Sequence, residues 1–270
     1  MIRDITFGQY FPGKSLLHRL DPRLKLVMSL LLIVFIFVAN NAFSLAFIGL
    51  LTVLFIFVSR VPVSLFLKNI KAILFVIILT SVLNALYVDT GRVVVEFWVI
   101  KITVDGIKRA VFMSSRIIIL ILSSSLLTYT TTPTELTDAI ERLLKPLKYI
   151  GLQEAVHVMA MMITIALRFI PTLIEETDKI MSAQKARGAD LESGTLLERI
   201  KALIPILVPL LISSVRRAYD LAEAMECRCY NGGSGRVRMK QLKLCTRDWI
   251  SFGFVLLCAL AIILFNIIFG

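Results

Sequence analysis

Charge is what this chain has least of. Only 18% of its 270 residues are Asp, Glu, Lys or Arg, where a soluble domain carries about 25%. Hydrophobic residues make up 57% and the mean hydropathy is +0.84. That balance excludes an ordinary globular enzyme, and it equally excludes a disordered chain, which must be poor in apolar residues to stay unpacked. Histidine is reduced to His18 and His157, and cysteine to Cys227, Cys229, Cys245 and Cys258. Three of those cysteines fall in the most highly charged part of the chain with no secretory cleavage pattern before them, which suits reduced cytosolic thiols. Cys227-x-Cys229 is two ligands short of the four that a structural zinc site needs, so no metal site is expected. The letters of a Gly-x-x-x-x-Gly-Lys-[Ser/Thr] loop occur at Gly8–Ser15, but such a phosphate site must open directly into a helix, which Pro22 would interrupt, so the chain is not expected to hydrolyse ATP by itself. The net charge of +11 comes without an aromatic-rich basic patch, which turns it away from nucleic acid and towards loops kept on the cytoplasmic side of a membrane.

What is there is long uncharged runs. From Leu26 to Ser59, 34 residues carry no charge, with Asn40-Asn41 in the middle. At 1.5 Å rise per residue this is slightly short for two crossings of a hydrocarbon core about 30 Å thick. A transmembrane hairpin is expected there, extended into its flanks with Lys25 and Arg60 snorkelling to the headgroups. Further spans are expected at about residues 71–88, at about 107–129 with Arg116 inside, and from Trp249 to Gly270. The intervening Val93–Lys101 is rich in β-branched residues and includes Trp98, as in a short hairpin or an interfacial loop. Lys and Arg gather before the first span (Arg3, Lys14, Arg19, Arg23, Lys25) and after the second (Arg60, Lys68, Lys71). This places the N-terminus in the cytoplasm and, after five crossings, the C-terminus outside. The chain thus divides into a membrane region with four spans (1–130), a cytoplasmic region (131–248) and a final span (249–270).

The cytoplasmic region reads as three amphipathic helices. Thr132-Pro133-Thr134-Glu135 is a helix start, with a capping Thr, an early Pro and an acid in the first turn. Leu136, Ala139, Ile140, Leu143 and Leu147 follow at helical spacing, to a stop near Pro146 or Gly151. A second helix, Leu152 to Ala186, carries a narrow polar stripe (Glu154, His157, Thr164, Arg168, Glu175, Asp178) and Pro171, where a kink is expected. A third, Leu196 to Cys227, has an uncharged front half with Pro205 and Pro209 and a charged back half. These helices are too polar along one face to be simple spans and too apolar to lie bare in water; the plain alternative is a pair of core helices in a cytosolic domain. Ile180-x-x-Ala183-x-x-x-Arg187 matches Leu221-x-x-Ala224-x-x-x-Arg228 at an offset of 41 residues. A Gly past the last turn is by itself only a helix stop, and an Arg there only a cation at a negative helix end. Two matching ends on consecutive long helices imply two equivalent pockets in a partner with two similar subunits.

Ala186-Arg187-Gly188 and its degenerate copy Cys227-Arg228-Cys229 resemble the paired Ala-Arg-Gly signatures of the transmembrane T components of energy-coupling factor transporters. The run Gly8-Gln9-Tyr10-Phe11-Pro12-Gly13-Lys14-Ser15, with His18-Arg19-Leu20-Asp21-Pro22-Arg23-Leu24-Lys25 behind it, is similar to that family as well. The resemblance implies an all-α integral membrane protein of about five spans with three cytoplasmic coupling helices, in a prokaryotic cell membrane. It implies a non-catalytic scaffold without a cofactor of its own. Two ABC ATPase subunits, which bind the ATP, would dock on residues 186–188 and 227–229. A membrane-embedded, substrate-binding S component would deliver a vitamin or transition-metal ion. The family pattern has Ala and Gly where Cys227 and Cys229 stand. Cys229 must therefore either take positive φ at a cost or pass the stop on to Gly232-Gly233. The rivals are a channel or secondary transporter, which should show intramembrane charges and inverted repeats, and an intramembrane enzyme. The latter needs an acid–base constellation that Asn84, Arg116, Cys258 and Asn266 do not form.

Overall fold

A computed structural model describes residues 10–87, 93–97, 100–146, 153–189, 195–232 and 245–269. Its elements are α1 (Pro22–Val38), α2 (Ala42–Ser59), α3 (Val63–Tyr87), β1 (Val93–Phe97), β2 (Ile100–Thr103), α4 (Val104–Thr130), α5 (Pro133–Leu143), α6 (Gln153–Ala186), α7 (Leu196–Glu226) and α8 (Thr246–Phe269). Among the described residues the fold is all-helical but for one antiparallel hairpin, in which Val95 pairs with Ile102, Glu96 with Lys101 and Phe97 with Ile100. The chain forms two compact units, one of residues 140–239 and the other of residues 8–139 with 240–270.

In the larger unit the helix ends follow local chemistry. Asp21 caps α1 by accepting from the Arg23 amide at 2.9 Å, with Pro22 in the first turn. Asn40 and Asn41 separate α1 from α2, and Arg60 ends α2 in the left-handed region (φ 57). Thr103 caps α4, its Oγ1 accepting from the Gly106 amide at 3.1 Å. The α3 helix begins at Val63, earlier than the third expected span, so that Lys68 and Lys71 lie on its first turns.

Three small apolar clusters hold this bundle: Ile56, Val61, Phe66, Leu126 and Tyr129; Ile36, Ala39, Ile48 and Ile262; and Leu32, Leu51 and Cys258. Polar groups inside it are spent on backbone. Asn266 donates to the Val38 carbonyl (2.8 Å) and accepts from Ser44 (2.9 Å), and Arg116 donates to the Ala39 carbonyl. These bonds satisfy carbonyls at the open end of α1. Much of the remaining apolar surface faces outward, as with Leu74, Phe75, Ile78 and Leu79 on α3. Such a face is costly in water and neutral in hydrocarbon.

Among the described residues five helices are long and apolar enough to cross a membrane: α2, α3, α4, α6 and α8. The number agrees with the sequence reading, but the membership differs. The 17 residues of α1 rise only about 25 Å, and α6 qualifies because its polar stripe is narrow. Lys25 is a correction of another kind. It does not snorkel: it is 4% exposed, and its ammonium donates to the carbonyls of Thr130 (2.9 Å) and His18 (3.2 Å).

In the other unit, α6 and α7 run antiparallel. Glu176 of α6 meets Ser213 and Arg217 of α7, while Gln184, two turns on, reaches back to the Pro205 carbonyl at 3.4 Å. Both helices continue through their prolines as single elements of 34 and 31 residues. The outer face of α7 is apolar: Ile204, Leu207, Val208, Leu211, Ile212 and Val215 are each 47–66% exposed.

Candidate functional site

The two arginine-bearing helix ends have the same backbone. At the end of α6 the Gly188 amide donates to the Lys185 carbonyl and the Ala189 amide to the Gln184 carbonyl, both at 3.0 Å, with Gly188 at φ +85. At the end of α7 the Cys229 amide donates to the Glu226 carbonyl (2.8 Å) and the Tyr230 amide to the Met225 carbonyl (3.1 Å), with Cys229 at φ +54. Both are Schellman stops, with the paired 5→2 and 6→1 bonds and a left-handed residue just past the arginine. The 41-residue offset seen in the sequence thus extends to individual hydrogen bonds. It also decides between the two alternatives for this stop: Gly232 is left-handed too (φ +82), but Cys229 closes the helix itself and bears the cost. The hydrogen-bond pattern of the stop demands that conformation whatever residue occupies the position.

All six residues singled out in the sequence, Ala186, Arg187, Gly188, Cys227, Arg228 and Cys229, are exposed. Among the described residues neither guanidinium has a hydrogen-bonding or ionic partner. Because α6 and α7 are antiparallel, the structure does not bring the two ends together. Pro205 lies beside the end of α6, and Arg228 is 23 residues further along, roughly 35 Å at helical rise. Consistently, the far end of α7 meets the start of α6, where Glu154 Oε1 lies 3.9 Å from the position a Gly232 Cβ would occupy. The arrangement presents two like cations at opposite ends of one helical strut. Arginine's planar fork, charged at any physiological pH, suits bidentate pairing with a carboxylate in each of two separate pockets.

Comparison with known proteins decides the family. The family model described as cobalt transport protein, CbiQ, matches residues 13–240. The energy-coupling factor transporter transmembrane protein EcfT of Clostridium kluyveri is 51% identical over 269 residues, covering 99% of this chain and 97% of that one. The chain belongs to this family of transporter transmembrane proteins. The protein of the same name from Ruminiclostridium cellulolyticum is 48% identical over 269 residues and covers 100% of both chains. That of Bacillus subtilis is 44% identical over 248 residues, covering 92% of this chain and 93% of its own. With several apolar helices of spanning length, this member of the family is a multi-pass membrane protein.

The structure adds residues that periodicity did not single out. Glu176 sits between Ser213 and Arg217 and staples α6 to α7 at mid-length. Its neighbours Glu175 and Asp178 carried the helical stripe, and an interhelical pair leaves no mark in one helix's spacing. His157, by contrast, was in the stripe; its Nδ1 lies 3.1 Å from Glu141 Oε1.

The N-terminal motif is a second polar knot, in the larger unit. His18 Nε2 lies 2.9 Å from the Phe11 carbonyl, which can only accept, so Nε2 carries the proton and Nδ1 accepts from the Ser15 hydroxyl at 2.7 Å. Burial pushes the His18 pKa below 6.5, and Lys25 nearby acts in the same direction, against the Phe11 bond that raises it. The Asp21 amide donates to Asp248 Oδ1 (3.0 Å), and Asp248 Oδ2 caps α8 through the Cys245 amide (2.7 Å). The motif thereby ties the starts of α1 and α8 to the end of α4.

Proposed function

We propose that this chain is the scaffold and coupling component of an energy-coupling factor type ABC importer. The observation that carries the reading is the pair of identical helix stops that present Arg187 and Arg228 at the two ends of the α6–α7 strut. In this reading α1 completes the five crossings, and α5–α7 and the N-terminus are cytoplasmic, as the Lys and Arg distribution favours, with the polar stripe of α6 keeping that helix out of the bilayer. One ABC ATPase docks at Ala186-Arg187-Gly188 and another at Cys227-Arg228-Cys229, each accepting an arginine. ATP is bound and hydrolysed by those subunits, and this chain catalyses nothing itself. When the ATPases close, the ends of the strut move as one body because Glu176 holds Arg217 and Ser213 across its middle. The apolar face of α7, from Ile204 to Val215, packs against a membrane-embedded S component that binds a vitamin or transition-metal ion, and the motion reorients that component.

The test is uptake and co-purification with the double substitution Arg187→Ala/Arg228→Ala. Losing the charged partner of a buried carboxylate costs about 2–5 kcal/mol, so each single change should weaken ATPase capture and the double change should abolish uptake while the protein still reaches the membrane. Wild-type uptake by the double variant would refute the assignment.

A further inference from the structure

At the end of the bundle where α1 and α8 begin and α2 and α4 finish lies a cavity of about 400 Å³, within the roughly 300–1,000 Å³ range of ligand sites. Its walls are apolar, with Leu32, Phe55 and Phe254 among them, and three cations, Arg19, Lys25 and Arg247, line it as well. We propose that this cavity binds one anionic phospholipid, with an acyl chain between α1, α2 and α8 and the headgroup phosphate between Arg19 and Arg247.

Two observations select this occupant. The apolar lining runs out to the surface of the spanning helices: Leu54 of α2 and Phe254 of α8 line the cavity and are 44% and 45% exposed. A chain can therefore enter sideways from the hydrocarbon without crossing a polar rim. The cations sit at the other limit of the cavity, at helix termini, where headgroups lie. Arg19 and Arg247 are exposed and have no side-chain partner among the described residues. The acids of this region do not line the cavity: Asp21 accepts from the Arg23 amide, and Asp248 from the amides of Asp21 and Cys245. A basic pocket between spanning helices at headgroup level is the arrangement that recognises acidic lipids. A free phosphate would leave the apolar volume empty, and a zwitterionic lipid would bring a headgroup cation that opposes the attraction of its phosphate to the arginines.

The experiment is native mass spectrometry of the purified full-length chain, equilibrated with detergent micelles holding equal amounts of phosphatidylglycerol and phosphatidylcholine of the same acyl composition. The wild type should retain one phosphatidylglycerol in clear preference. Each neighbouring cation favours an anionic lipid roughly five-fold, so Arg19→Gln/Arg247→Gln should cut the preference roughly twenty-five-fold, to near parity. Ser251→Trp, which fills the cavity from α8, should remove bound lipid of both kinds. Should that variant fail to fold, the arginine pair, exposed and outside the core, decides alone. Equal retention of the two lipids by the wild type, or an unchanged preference in the arginine variant, would overturn the proposal. So would displacement of the bound phosphatidylglycerol by millimolar glycerol 3-phosphate, which would identify a site for free anions.

Discussion

A cysteine closing α7 where a glycine closes α6 sets up a paired test of backbone strain. Cys229 stands at φ +54 and Gly188 at φ +85, each at the left-handed position of a Schellman stop. The left-handed region costs an L residue roughly 1–2 kcal/mol and glycine almost nothing, while glycine gives back about 0.5–1 kcal/mol in unfolded-chain entropy. Cys229→Gly should therefore tighten the end of α7 by about 0.5–1 kcal/mol, and Gly188→Ala should loosen the end of α6 by a similar amount. No other atom lies within 4 Å of a Cβ built on Gly188, so the loss there is one of backbone conformation and not of collision. Gly188→Val should cost more, since β-branching narrows the region further. Hydrogen exchange of the purified protein reads these local openings directly. Peptides covering 225–230 should exchange about two- to five-fold more slowly in Cys229→Gly, and those covering 184–189 faster by a like factor in Gly188→Ala. Faster exchange at 225–230 in Cys229→Gly, or no change in either variant, would refute the strain argument. An effect of Cys229→Ala as severe as losing Arg228 would mean instead that the thiol itself is functional.

His18 is held neutral by burial, its pKa lowered from 6.5. Below pH 6.5 the unfolded chain takes up a proton before the folded one does, so stability should fall as the pH drops from 6.5 towards the folded value; a His18→Gln variant should show a flatter thermal-unfolding profile over that window. Exposed Cys227, Cys229 and Cys245 should react with a membrane-impermeant maleimide in inverted vesicles and not in intact cells, and labelling of intact cells would refute the cytoplasmic placement of α6 and α7. Arg217→Met should leave both ATPases bound but lower uptake per ATP hydrolysed, because the strut loses its central staple; coupling equal to wild type would remove Glu176–Arg217 from the mechanism.

Much of this protein is written in its sequence because the signals are local. Helix periodicity, the Asn40-Asn41 break, the Thr132-Pro133 start and the termini of α6 and α7 all arise from residues within a turn or two of one another, and the sequence places them to within a residue or two of the structure. The equivalence of Arg187 and Arg228 was legible for the same reason, since a repeated helix end repeats its spacing. Tertiary structure decided the rest. Lys25, beside an uncharged run, reads as a snorkelling cation, yet it is buried because the carbonyls of His18 and Thr130, the latter 105 residues away, accept its protons. Glu176 became the staple of the strut only because α7 folds back antiparallel and lays Arg217 beside it. Residue type alone argued against a left-handed Cys229, and the hydrogen bonds of the helix stop overrode that preference. The cavity at the basic end of the bundle has no sequence signature at all, for it is the space that helices far apart in the chain leave between them.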